Sequence, residues 1–252
     1  MSSESGIYVF CAINETEPKS FGTVSLNGNE NEIFTIHYKD TAMVVTRVED
    51  DVLPNRNNLF AHQKTITEVM KQYTLIPMSF GNVFSSEEDV LLIVEHLYEE
   101  FEKLFSHLKN KMEVGLKVIA KKEWIEKEIE NNPLLKEWKK GGKKTSNPAA
   151  FYEQIQLGEQ AQNFVMNLQN KVVKEVYEPL LELAEAGKPN DIIPGKVVLN
   201  AAFLVDCEKE EAFDQRVNEI FELWKDKVEF KYTGPWPAYN FVNIRLRIED
   251  GS

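Results

Sequence analysis

Four histidines, His37, His62, His96 and His107, are the side chains best placed to do acid–base or metal chemistry at neutral pH. No HxH or HxxxH spacing relates any two of them, so the usual way a strand or helix offers two imidazoles to one ion is missing. His96 and His107 fall on one expected helix, but eleven residues at about 1.5 Å each put them ~16 Å apart, too far to share a metal. Cys11 and Cys207 have neither CxxC nor Cys/His spacing, which argues against a disulfide framework and a structural zinc site. Glu49, Asp50 and Asp51 are consecutive, so their side chains diverge, and no EF-hand pattern follows them. The 12 glycines build no GxGxxG, GxxxxGK[ST] or GxSxG, so phosphate cradles and a nucleophile elbow are absent from the sequence. His62 with Asp50 or Asp51 remains as an acid–base pairing, supported by residue availability alone.

Charge limits the partners. The 252 residues carry 29 Lys+Arg against 41 Asp+Glu, a net charge of -12, which repels polynucleotides and anionic membrane surfaces. Lys139, Lys140, Lys143 and Lys144 form the one basic concentration, and with only Trp138 beside it this reads as a hydrated hinge rather than a stacking platform. Neither nucleic acid nor membrane is expected as a partner. No run reaches the ~20 apolar residues of a membrane span, and MSSESGIYVF lacks the flank of a secretory signal, so an intracellular, cytoplasmic location is expected.

The most distinctive stretch is TGPWPAYNFV, residues 233–242. Two prolines bracket Trp236, and Tyr239 and Phe241 follow. Proline removes donors and restricts the residue before it, so the segment is expected to leave its sheet as a stiff arm. Trp236, Pro237, Tyr239 and Phe241 are the candidate partner-binding residues; the competing reading is that these rings close their own domain's core.

Two units must position these residues. Residues 1–110 hold 8 basic and 17 acidic side chains, whereas residues 111–252 hold 21 and 24. The first unit, 1–110, reads as α+β: a buried strand at GIYVFCAI, a polar loop, and a hairpin of EIFTIHYKD with TAMVVTRV turning near Lys39 and Asp40. A helix capped at Asn57 or Asn58 then runs to Tyr73, and a short strand follows at LIPMSF. One long helix, started by Ser85 and Glu88, reaches Leu108. The second unit, 111–252, opens with a half-buried strand, KMEVGLKVIAKK, whose Glu113, Gly115 and Lys117 face away from the core. Helices are expected over 124–138 and over Phe151 to Ala186 with a kink at Pro179. The strand VVLNAAFLV, a helix over 208–225, the strand VEFKYTG and a tail or strand in FVNIRLRI follow. This order approaches a ferredoxin-like sandwich with long helices. Asn200, polar inside an apolar strand, needs a partner: the neighbouring backbone, or a small molecule in a sheet cleft.

Taken together, GIYVFCAI, LFAHQKTITEVMKQYTLIPMSFGNVF, VGLKVIAK, NAAFLVD and above all TGPWPAYNFV resemble the gas vesicle GvpF/GvpL family over residues 6–244. Ala238 stands where that family commonly has another proline. The resemblance implies two α+β domains, the second a modified ferredoxin fold, and a role that is not enzymatic and uses no cofactor. It implies a minor shell component or assembly factor that works on the gas vesicle and binds its hydrophobic major shell protein, with other accessory proteins as further partners. The alternative is a small-molecule-sensing ferredoxin-like regulatory protein.

Overall fold

The computed structural model describes residues 6–131, 158, 162–192 and 196–243. The chain divides into two compact units, Met1–Glu113 with Pro235–Ser252, and Val114–Gly234. The C-terminal segment therefore groups with the first unit, whereas the sequence reading assigns it to the second.

In the first unit, β1 (Gly6–Asn14) lies inside a sheet of order β2-β3-β4-β1-β5, with β6 also paired to β1. Its neighbours are β2 (Ser20–Leu26), β3 (Asn29–Tyr38), β4 (Thr41–Val48), β5 (Leu75–Pro77) and β6 (Val83–Phe84). β4 pairs along one side of β1 and β5 and β6 share the other, all antiparallel. Every residue from Ile7 to Ile13 is buried, which is why its sequence is apolar without alternation. The expected hairpin is present: Thr41 pairs with Tyr38, and Lys39 takes the left-handed backbone that a two-residue turn requires.

The expected polar loop before it is instead β2. Asn27 and Gly28, at φ 53° and 86°, make a second tight turn into β3, an Asn-Gly hairpin signal inside a stretch that looks too polar for a strand. Only Val24 and Leu26 of β2 are buried, because it is an edge strand.

Helix α1 (Arg56–Met70) is capped by Asn55, whose side chain accepts from the Asn58 N–H at 2.9 Å. Asn58, one of the two expected caps, is buried. Its amide donates to Asn27 Oδ1 and the Leu53 carbonyl and its Oδ1 accepts the Asn27 N–H, pinning the β2–β3 turn to the helix start. The expected long helix is two helices, α2 (Glu87–His96) and α3 (Tyr98–Leu108), with Ser86 rather than Ser85 as the cap. Leu97, at φ -101° and ψ 8°, makes the break, yet Leu97 N–H still bonds to Ile93 and Phe101 N–H to Leu97. Val90, Val94, Leu97, Phe101, Phe105 and Leu108 keep one buried stripe across it. Ile66 and Val69 of α1 share a core with Tyr8 and Phe10, while Val9 and Met43 line a cleft with Ile93 of α2 and with Leu97. The period of two along β1 breaks at the bulge between Val9 and Cys11, after which Cys11 and Ile13 join Tyr8 and Phe10 in one core.

The second unit runs β7 (Lys111–Ala120), α4 (Lys122–Asn131), helical residues 162–172, a π turn Val173–Tyr177, α5 (Glu178–Leu181), β8 (Ala186–Pro189), β9 (Val197–Asp206), α6 (Glu210–Trp224) and β10 (Val228–Trp236). Its sheet order is β10-β7-β9-β8, so strands one to four lie as 4-1-3-2 with helices after the first and third, the ferredoxin-like βαββαβ order. β8 lies where the sequence reading extends the long helix to Ala186. The helix stops at Leu181, and β8 pairs antiparallel with β9. A Cβ at Gly187 would come within 2.6 Å of Tyr177 Oη and 2.7 Å of Leu181 Cδ1, so a side chain here would displace those two side-chain ends. At the expected Pro179 kink the helix widens instead into the π turn just before the proline, which spares the i−4 clash a proline imposes. Tyr177, Phe203 and Phe213 form the aromatic spine of this core, and Trp124 meets Trp224 edge to face at 5.5 Å. The expected lysine loop over 139–144 and the tail beyond Asn243 lie outside the described residues.

Candidate functional site

The TGPWPAYNFV segment begins as strand, not as a departing arm. β10 continues through Gly234 and Pro235 to Trp236, and because β10 is an edge strand a proline near its end costs no inner ladder bond. Gly234 takes φ 138°, a conformation L side chains rarely adopt. After Pro237 the chain closes a short 3-10 turn, Tyr239–Phe241, with the Phe241 N–H donating to the Ala238 carbonyl at 3.0 Å.

The four candidate binding residues divide. Trp236 is 39% exposed. Pro237 is buried, and Tyr239 and Phe241 are half-buried. Tyr239 packs on the first unit's core, and burial, with Cys11, Tyr8 and Glu113 close by, pushes its phenol up. Its ring also lines a cleft of about 300 Å³ with Met43, Met78, Phe84, Ile93 and Leu97. For Tyr239 the structure therefore supplies the core-closing role, and Trp236 is the ring that faces water.

Glu113 fastens this segment. Sequence alternation places it on the solvent side of β7, but it is 6% exposed. One carboxylate oxygen accepts the Asn240 N–H at 2.8 Å and the other the Asn240 side-chain amide at 2.6 Å. A buried carboxylate needs such donors, and the ones it uses are 127 residues away in sequence, beyond the reach of periodicity.

His62 pairs with neither Asp50 nor Asp51. Those two carboxylates are exposed, whereas His62 is 4% exposed. Its Nε2–H donates to the Met78 carbonyl at 3.2 Å, which leaves Nδ1 bare to accept the Tyr8 hydroxyl proton at 2.9 Å. The Gly81 N–H completes the chain by donating to Tyr8 Oη. Phe10 stacks on the imidazole and Phe80 meets it edge on. Burial in this aromatic cage lowers the imidazole pKa to about 4 and raises the Tyr8 phenol to about 12. The group is a packed, neutral strut. His37 is held by Thr35 Oγ1 and the Glu15 carbonyl, and His96 by the Leu92 carbonyl. His96 and His107 lie on different helices. Among the described residues no cluster of three or more His, Cys, Asp or Glu is arranged to hold a metal ion. Asn200 donates to the Asp191 carbonyl at 3.4 Å, while its own carbonyl accepts the Asn190 N–H, so neighbouring backbone answers its polarity.

Residues 6–243 match the family described as gas vesicle synthesis protein GvpL/GvpF. The chain belongs to this family. Gas vesicle protein F of Nostoc sp. is 24% identical over 246 residues, covering 95% of this chain and 99% of the relative. Gas vesicle protein F of Dolichospermum flosaquae is 28% identical over 204 residues, 78% of this chain and 81% of that protein. The crystal structure of GvpF from Anabaena sp. superposes with a TM-score of 0.82 at 20% sequence identity, over 96% of this chain and 100% of the other, which shows the shared α+β fold. The matched range includes Tyr8, His62 and Trp236. Among the described residues no helix is long and apolar enough to cross a membrane.

Proposed function

We propose that this family member is an assembly factor or minor shell component that binds the hydrophobic major gas vesicle shell protein and keeps it from aggregating while vesicles nucleate and grow. The family match over residues 6–243 carries this reading. A shell subunit that turns an apolar face to gas exposes that face to water before assembly and is then prone to self-association. A partner that covers the face by surface contact, with no bond made or broken, answers that need. The net charge of -12 keeps the complex dispersed in the cytoplasm and at the vesicle surface. Handover requires an affinity near ~1 μM, about -8 kcal/mol, because a tighter grip holds the client back.

Trp236 is the anchor this reading favours, as an exposed indole on a strand end, with half-buried Phe241 beside it in sequence. The test is pull-down of the shell protein by the full chain carrying Trp236→Ala and Phe241→Ala. Folded double variants should retain a small fraction of the wild-type amount. Retention at the wild-type level would show that the anchor lies elsewhere.

A further inference from the structure

Trp236 is held between two attachments to one strand, β7. Before the ring, β10 runs beside β7 in the sheet. That ladder weakens toward its end, because Pro235 has no N–H to donate and Gly234, at φ 138°, leaves the ordinary extended range. After the ring, Glu113 of β7 accepts both the Asn240 N–H at 2.8 Å and the Asn240 side-chain amide at 2.6 Å. Glu113 and the segment from Pro235 onward belong to the same compact unit.

The backbone that joins Trp236 to Asn240 is short and stiff. Pro237 and Ala238 are buried, and Tyr239 packs on the core. The Tyr239 N–H donates to the Pro237 carbonyl at 2.7 Å and the Phe241 N–H to the Ala238 carbonyl at 3.0 Å, so each step of the turn is tied. Pro237 confines Trp236 as well, since the residue before a proline is driven to an extended ψ. An orientation imposed at Asn240 therefore reaches the indole with little slack. Glu113 itself is buried and out of a partner's reach, whereas Trp236 faces outward.

We propose that Glu113 is a positioning residue for partner binding: through Asn240 it fixes the direction of the exposed Trp236 ring before a partner arrives. The inference rests on the function proposed above, with Trp236 as anchor, and adds what holds that anchor ready. A large side chain that is ordered in advance gives up less freedom on binding, so the benefit appears as affinity. The latch is specific in its chemistry. An ionised carboxylate accepts from both Asn240 donors, whereas a glutamine at 113 accepts from one and turns its own N–H groups toward the other. Exchanging the two groups, with the carboxylate at 240 and the amide at 113, restores a matched pair at the same total charge.

A double-mutant cycle on the full chain tests this, read by pull-down of the major shell protein and by the fluorine NMR signal of Trp236 in fluorotryptophan-labelled protein, assigned with Trp236→Phe. Glu113→Gln should broaden or split the Trp236 signal and weaken binding roughly 3- to 10-fold. Glu113→Gln combined with Asn240→Asp should recover both. In a Trp236→Ala background Glu113→Gln should cost no further binding, which separates positioning from a general loss of stability. Should Glu113→Gln fail to fold, Asn240→Ala, which keeps the carboxylate, takes its place in the cycle. A folded latch variant with a wild-type Trp236 signal or wild-type binding overturns the positioning role and leaves the proposed function standing. A binding loss equally large without Trp236 also overturns it, since the carboxylate then acts on stability alone. A wild-type chain that binds no shell protein removes both the positioning role and the function it serves.

Discussion

At the scale of single residues, His37, His62 and His96 spend their ring nitrogens on structural hydrogen bonds. His62 illustrates this. Its nitrogens bond to the Tyr8 hydroxyl and the Met78 carbonyl, and burial lowers its pKa to about 4 from an ordinary value of 6.5. The unfolded chain therefore binds a proton near pH 6.5 that the folded chain refuses until pH 4. The His62 contribution to stability is complete above pH 6.5 and is lost as the pH falls toward 4. Urea unfolding at pH 7 and pH 5 should show a loss of about 2 kcal/mol from this group, at about 1.4 kcal/mol per unit of pH. His62→Gln, which keeps a donor for Met78, should lack that component. Equal pH dependence in the two proteins would contradict the buried-neutral assignment. That no metal or acid–base spacing surrounds His62 is legible in the sequence. Its true partners, Tyr8 at 54 residues' separation and a carbonyl, leave no trace in local spacing.

At the scale of elements, legibility follows burial. β1, β4 and β9 bury most of their residues and read as continuous apolar runs. β2 and β8 are edges that bury two residues and none, so the hydrophobic pattern that marks a strand is nearly absent, and only turn chemistry at Asn27-Gly28 marks β2. The helix starts shift by one to three positions because several Asn or Ser residues lie close together, and which one caps depends on where the preceding chain enters. Glu113 is missed for a different reason: alternation assigns a charged residue to solvent, and the returning Asn240 supplies donors that help make its burial tolerable. Asn240→Ala removes the side-chain amide's hydrogen bond to that buried carboxylate, keeps the backbone one, and should cost about 2 kcal/mol in thermal or urea unfolding. It should also speed hydrogen exchange in the Tyr239–Phe241 turn. A loss below about 0.5 kcal/mol would mean that Glu113 does not fasten the segment.

At the scale of the whole molecule, the fold class was within reach of sequence because helix and strand alternate strongly enough in both units. The ferredoxin-like order of the second sheet agrees with the sequence reading, whereas β8, the strand that completes it, was not legible. The candidate site was legible as a motif and misleading as an arm: the chemistry of TGPWPAYNFV is distinctive, but Tyr239 is committed to a core and Trp236 alone of the four is exposed. An acidic charge balance and an outward indole are the features behind the proposal that this molecule covers another protein's apolar surface. The most direct measurement of that claim is the fraction of major shell protein left in the supernatant after high-speed centrifugation, expressed with and without this chain. With the chain present, most of the shell protein should stay in solution and co-purify with it; equal pelleting in both cases, with this chain folded and abundant, would contradict the account.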